Sequence, residues 1–275
     1  MAVAVRGNVK WALGLSLNLY RLAENWAERI SVTVFLLKLT IARLRPSSFG
    51  QGDAVIRLKG ATYFVGLRSA EIYTFGEFYQ DHFYDKVADY VPKADWIVFD
   101  IGANVGLFTV QQARRKACVY AFEPNPDCYR RLSKAVDANR LNSRVSKFNY
   151  ALGSSPGTGT MRIPLGYTTS GTIMPSADTM PGTTSIVEIT SLDEIVPRLG
   201  VAHVDLLKID VEGAEVEVLR GAVQTLENVE RIIVEFHSRA LQEQVSTFLD
   251  PFGYSVSLLL DTDADKGVGL LYARR

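Results

Sequence analysis

An apolar strand from Trp96 that ends in Asp100, a turn with Gly102 and Gly106, a helix from Leu107 and a second strand ending in Glu123 form one continuous unit. Two strands joined through a helix run parallel in the same sheet, which narrows the fold more than any other feature of the chain. Gly102 lets the backbone turn tightly, and Gly106 lets a ligand lie against the helix start. Glu123, at the tip of the second strand, can accept both hydroxyl protons of a ribose, and Pro124 and Asn125 follow it in the same pocket. A dinucleotide-binding loop would want glycine where Asn104 stands, because a pyrophosphate needs close backbone approach. Asp100 and the Asn104 side chain suit a ligand with an amino-acid end and no phosphates. S-adenosylmethionine meets that description.

From Trp96 onward strands and helices alternate, the pattern of a parallel sheet covered on both faces. Strands are expected at 96–100, 118–122, 145–150, 204–210, 231–237, 254–260 and 268–273. The short link from Asp261 to Gly267 makes the last strand antiparallel to its neighbours. The connection from 151 to 203 is too long for one crossover. It holds an expected extra hairpin, Gly159 to Ile163 with Ser185 to Thr190, and a short helix opened by Ser191-Leu-Asp-Glu194. Between them Gly166 to Thr184, rich in Gly, Ser, Thr and Pro, is placed to act as a lid. Upstream, Val55 to Leu58 and Thr62 to Leu67 read as a hairpin, and Glu77 to Tyr90 as a helix bearing Phe78, Tyr79, Phe83 and Tyr84. The division is therefore 1–45 as a helical segment, 53–94 as hairpin and helix, and 95–275 as the main domain.

Residues 1–45 carry seven Lys/Arg against Glu24 and Glu28, a net of plus five in a chain of zero net charge. Leu15, Leu19, Leu22, Trp26, Ile30, Val34, Leu37, Ile41 and Leu44 recur at steps of four and three, one apolar stripe along a long helix. Arg6, Lys10, Arg21, Glu24 and Glu28 fall on its opposite side. The stripe either packs on its own domain or lies on an anionic membrane or a partner. The run Val32 to Leu37 stops at Lys38, far short of the roughly 20 apolar residues a span requires, and the segment does not read as a secretory signal, because no short apolar block runs into a small-residue cleavage site. Residues 46–52 read as a linker. Zero net charge gives no support for a nucleic-acid partner. Cys118 and Cys128 suit a reduced compartment and make neither a disulfide framework nor a zinc site. The expected location is cytoplasmic, with peripheral membrane contact open through residues 1–45.

Lys208-Ile-Asp-Val-Glu-Gly213 ends the fourth strand on the sheet edge that carries Asp100 and Glu123, where ligands of open α/β sheets bind. Asp210 and Glu212 can deprotonate a hydroxyl or hold a metal there. Glu212 can instead cap the helix that follows. Val234-Glu-Phe-His237 ends the next strand with Glu235 and His237 on one face. His237 is a candidate general base, metal ligand or structural histidine. Asp210, Glu212 and His237 are taken as the catalytic set, with no metal assigned. Lys208 is expected to pair with Asp210 or Glu235 and to do no chemistry.

The runs Asp100 to Gly106, Ala121 to Asn125, Ala151-Leu-Gly153, Thr190 to Asp193 and Leu207 to Glu215 occur in one order. In them the chain resembles the FkbM-type methyltransferase family, over about residues 95–240 and more loosely on either side. The resemblance implies a class I methyltransferase fold: a Rossmann-like, doubly wound, seven-stranded sheet whose last strand is antiparallel, here with an amino-terminal amphipathic helix and hairpin. It implies S-adenosylmethionine bound at Asp100, Gly102, Asn104, Gly106 and Glu123. It also implies methyl transfer, usually to oxygen, on a small-molecule or glycan acceptor. Two alternatives stay open: an N-methyltransferase acting on protein or RNA, and a non-catalytic, membrane-associated nucleoside-binding protein.

Overall fold

The structure, a computed structural model, describes residues 17–44, 52–67, 74–75, 78–79, 84–164, 182–263 and 267–275. After a short helical turn at 17–22 come α1 (Trp26–Leu44) and the hairpin β1 (Asp53–Leu58) and β2 (Ala61–Gly66). The main domain then runs β3 (Ile97–Ile101), α2 (Leu107–Arg114), β4 (Cys118–Phe122), α3 (Pro126–Ala138), β5 (Val145–Phe148), β6 (Ala151–Leu152), β7 (Gly157–Pro164) and β8 (Gly182–Thr190). It continues with α4 (Leu192–Arg198), β9 (Leu206–Ile209), α5 (Glu215–Arg220), β10 (Arg231–Phe236), α6 (Arg239–Leu249), β11 (Ser255–Asp263) and β12 (Val268–Arg274).

Seven strands form the main sheet in the order β11-β12-β10-β9-β3-β4-β5. β3, β4, β5, β9 and β10 are parallel, and β12 enters antiparallel between β10 and β11. The strand order reverses on either side of β3, so a crevice opens at the carboxyl ends of β3, β4 and β9. Side chains alternate across the sheet. Val98, Leu206 and Ile233 join one core with α2, α3, the hairpin and α1. Phe99, Leu207, Ile232 and Val234 join the other with α4, α5 and α6.

The expected strand at 145–150 is split. β5 ends at Phe148, and Ala151–Leu152 leaves the main sheet to pair with β8, which also carries β7. The expected hairpin is thus present as β7 and β8, and Ser191 accepts a hydrogen bond from Glu194 N–H at the start of α4. Most of the expected lid lies outside the described residues; Gly182 to Thr184 begin β8. The helix expected through Tyr90 does not reach it. Residues 84–87 form turns and Ala88–Tyr90 a single 3-10 turn. Val87 is extended before that turn and Val91, restricted by Pro92, is extended after it.

The amino-terminal helix also departs from expectation. It breaks at 23–25, where the Asn25 side chain accepts from Glu28 N–H at 3.0 Å and the Glu28 carboxylate accepts from Glu24 N–H at 2.8 Å. This reciprocal arrangement starts α1 afresh. α1 packs on the hairpin, but through Val32, Phe35, Leu39 and Ala42 rather than through the expected stripe. Glu28 is buried among them because the β1–β2 turn needs an acceptor: its carboxylate takes Gly60 N–H at 2.6 Å and Lys59 N–H at 3.2 Å. Trp26, Ile30, Val34 and Leu37 face outward. The hairpin is fastened to α3 through Asp53, which meets Arg130, Arg131 and Lys134. Burial alone would raise the Asp53 pKa, but the bonds to Arg130, Lys134 and Arg131 hold it well below the usual carboxylate range.

Candidate active site

β3 brings Asp100 to the crevice fully buried. Thr109 Oγ1 donates to its Oδ2 at 2.5 Å, and Lys208 Nζ lies 3.0 Å from its Oδ1. Lys208 also donates to the Gly102 carbonyl at 2.9 Å. Burial would lower the Lys208 pKa, but Asp100 and then Asp210 outweigh that and hold it above its ordinary value, fully charged. Asp100 therefore braces the loop from behind, and Lys208 pairs with Asp100 and Asp210 instead of Glu235. The loop itself is tied to β4, since Gly102 N–H and Ala103 N–H both donate to the Phe122 carbonyl.

Gly102 has φ of 80°, and a Cβ there would lie 1.7 Å from the Asp210 carbonyl oxygen. The loop after β3 and the end of β9 touch at this point, so no side chain fits between them. At Gly106 (φ 89°) the nearest atom to a built Cβ is Leu132 Cδ1 at 2.5 Å, so this glycine also lets α2 close on α3. Glu123 is buried, and its two oxygens accept Asn104 N–H at 2.7 Å and Asn125 N–H at 2.8 Å. Burial pushes its pKa up to about 7, against the pull of those two backbone donors. Asn104 has φ of 52°, and its Oδ1 is buried with no hydrogen-bond donor among the described residues. The Asn125 side chain is taken up in capping α3, where it accepts from Asp127 and Cys128 N–H. Pro124 lines a cleft of about 470 Å³ with Phe148, Asn149, Tyr150 and Glu188, beside the tips of β4 and β5.

The ends of β9 and β10 bring the second group together. His237 Nδ1 lies 2.7 Å from Glu215 Oε1, and its Nε2 lies 3.5 Å from Glu212 and 3.9 Å from Asp210. Burial would lower the His237 pKa. The hydrogen bond to Glu215 and the charges of Asp210 and Glu212 reverse the shift and push it up to about 10. Both ring nitrogens carry protons at neutral pH. The Tyr84 hydroxyl donates to Glu235 at 2.8 Å and to Asp210 at 3.3 Å. Burial first, then the Asp210 charge, raise the Glu235 carboxyl above its ordinary value. Burial, with Asp210 and Glu235 adding to it, keeps the Tyr84 hydroxyl protonated.

Asp210, Glu212 and His237 are thus neighbours, as the sequence suggested, and they adjoin the loop that carries Gly102. Glu235 belongs with them. Tyr84 and Glu215 were not singled out by sequence. Glu215 ends the Lys-Ile-Asp-Val-Glu-Gly-Ala-Glu run, and its buried carboxylate orients the imidazole. Tyr84 stood among aromatics without any periodic signal.

A model described as "Methyltransferase FkbM domain" matches residues 100–256. The chain belongs to the FkbM methyltransferase family. Methyltransferase sdnD of Sordaria araneosa is 30% identical over 220 residues, 67% of this chain and 82% of that protein. Hexuronic acid methyltransferase AglP of Haloferax volcanii is 33% identical over 178 residues, 64% of this chain and 71% of that one. Among solved structures, M. jannaschii TYW2 in complex with AdoMet is 14% identical, with a TM-score of 0.43, covering 82% of this chain and 86% of that one. This FkbM-family chain is an S-adenosylmethionine-dependent methyltransferase. Its fold is the seven-stranded, Rossmann-like sheet with one antiparallel strand expected of the class.

Proposed function

We propose that this chain methylates a hydroxyl oxygen of a sugar or related small metabolite, with the cluster at the ends of β9 and β10 as the acceptor side. One observation carries the reading: four buried or half-buried acids, Asp210, Glu212, Glu215 and Glu235, and one imidazolium meet where Gly102 touches the Asp210 carbonyl. The AglP relative is named for a hexuronic acid, whose nucleophiles are all oxygens.

S-adenosylmethionine supplies the electrophilic methyl group on its sulfonium. The Glu123 carboxylate and the unpartnered Asn104 Oδ1 are acceptors suited to the donors of its ribose and amino-acid end, and Pro124 flanks them. Asp100, Lys208 and Thr109 fix the loop that holds them. Asp210 receives the proton as the acceptor oxygen attacks in line with the methyl group, and Glu235, raised by burial and by Asp210, stands beside it. His237, already protonated, neutralises their charge and positions them. It is a donor in this scheme and not the base. Tyr84 and Lys208 already answer both carboxylates, so the reading assigns no metal, although Asp210, Glu235 and His237 offer donors within 4.8 Å of one another. Inhibition by a chelator that added divalent ions reverse would overturn that part.

The direct test is release of S-adenosylhomocysteine with hexuronic acids and neutral sugars, against RNA and peptide acceptors. Product methylated at nitrogen would sink the oxygen assignment. Glu123→Ala should weaken S-adenosylmethionine binding by about 2–3 kcal/mol, the worth of hydrogen bonds to a charged group. Calorimetry on the folded variant with unchanged affinity would remove Glu123 from the pocket. Affinity for wild type should also fall as pH drops below about 7, where the buried carboxyl takes up a proton and loses an acceptor.

His237→Gln should lower turnover by about 100-fold with cofactor affinity intact. In wild type, turnover should hold from pH 7 to about 9 and decline towards 10, as the imidazolium gives up its proton. A limb rising near pH 6.5 that disappears in His237→Gln would instead make His237 the base.

A further inference from the structure

We propose that the outward face of α1 rests on the surface of an anionic phospholipid bilayer. Trp26 is 75% exposed, Ile30 54%, Val34 44% and Leu37 58%. At 3.6 residues per turn these four lie in one stripe, directly opposite the buried Val32, Phe35 and Leu39. Single exposed apolar residues are ordinary, but a continuous stripe marks a contact surface.

The polar groups around the stripe identify what covers it. Thr33 and Thr40 hydroxyls donate to the carbonyls four residues back, Arg29 and Leu36, so neither needs water. Both acids of the segment turn away. Glu28 is buried under the β1–β2 turn, and Glu24 pairs with Lys59 at 3.2 Å. Arg29 and Lys38 remain exposed on opposite flanks of the stripe, with no acidic partner among the described residues. Apolar residues on the centreline and cations on both margins match an apolar layer beneath a negatively charged headgroup plane. A protein partner would have to leave those cations solvated or answer them with acids at both margins. No helix among the described residues is long and apolar enough to cross a membrane, so the contact is a surface one.

The experiment is sedimentation of the full chain with vesicles of phosphatidylglycerol and phosphatidylcholine, beside vesicles of phosphatidylcholine alone, at low and high salt. Wild type should bind the anionic vesicles, more weakly as salt rises. Arg29→Gln with Lys38→Gln should weaken binding about 25-fold, roughly fivefold for each charge near the surface. Trp26→Ser with Leu37→Ser should weaken it at least about tenfold. These positions are exposed, so S-adenosylmethionine affinity should stay unchanged and report a folded domain. Trp26 fluorescence, read as wild type minus Trp26→Phe, should shift to the blue on the anionic vesicles. Absence of binding, equal binding by the variants, or a micromolar dimer that Trp26→Ser dissociates would each overturn the proposal.

Discussion

Asp210→Asn is expected to lower turnover about a thousandfold while S-adenosylmethionine affinity changes by less than about threefold. The amide keeps the size of the side chain and can still accept from Tyr84, so the fold around it is preserved. What it loses is the charge that takes a proton. General-base contributions run to about 10²–10⁴-fold, and the neighbouring Glu235 is already raised by burial and by Asp210 itself. Removing Asp210 lowers the Glu235 pKa towards its ordinary value, so Glu235 ionises more readily and recovers part of the loss, which holds the effect near a thousandfold. Single-turnover kinetics at saturating cofactor read the effect. A rate within threefold of wild type would move the chemistry away from β9.

Gly102→Ala is expected to destabilise the fold by about 3 kcal/mol or more, a melting shift on the order of 6–12 °C for a domain of this size. Two penalties coincide. Alanine is strained at φ of 80°, and its Cβ would stand 1.7 Å from the Asp210 carbonyl oxygen, a backbone atom that cannot swing aside. Relief requires the loop to part from β9, which also displaces Lys208 from the Gly102 carbonyl. Any folded remnant should therefore bind cofactor poorly. Calorimetric melting that matches wild type would show that the loop after β3 and the end of β9 do not touch at Gly102.

Much of this was legible in the sequence because parallel strands place their last residues on one edge. Asp100, Glu123, Asp210 and His237 each close an apolar strand, so their convergence follows from strand boundaries alone. Contacts between distant segments were not legible. Tyr84 is 126 residues from Asp210 and lies in a stretch without periodicity. The protonation of His237 depends on Glu215, the first residue of a helix whose start its charge also suits. That Thr109 and Lys208 close on Asp100 is announced by no spacing. In α1 the expected stripe from Trp26 to Leu37 is present but faces outward, and it is the opposite face that packs. Val32, Phe35, Leu39 and a buried glutamate met the hairpin, whose backbone donors favoured an acid there.

The place of β12 has a consequence for the newborn chain. β11 leaves the ribosome before β12, yet among the described strands of the sheet its one partner is β12. Until that last strand arrives, β10 presents an open ladder of backbone groups and the apolar Ile232, Ile233 and Val234 beside it. Glu235 and His237 meanwhile stand at the rim of an unfinished wall. Synthesis of the carboxyl-terminal hairpin is thus the step that closes the sheet, and a pause within it leaves an adhesive edge exposed to other chains.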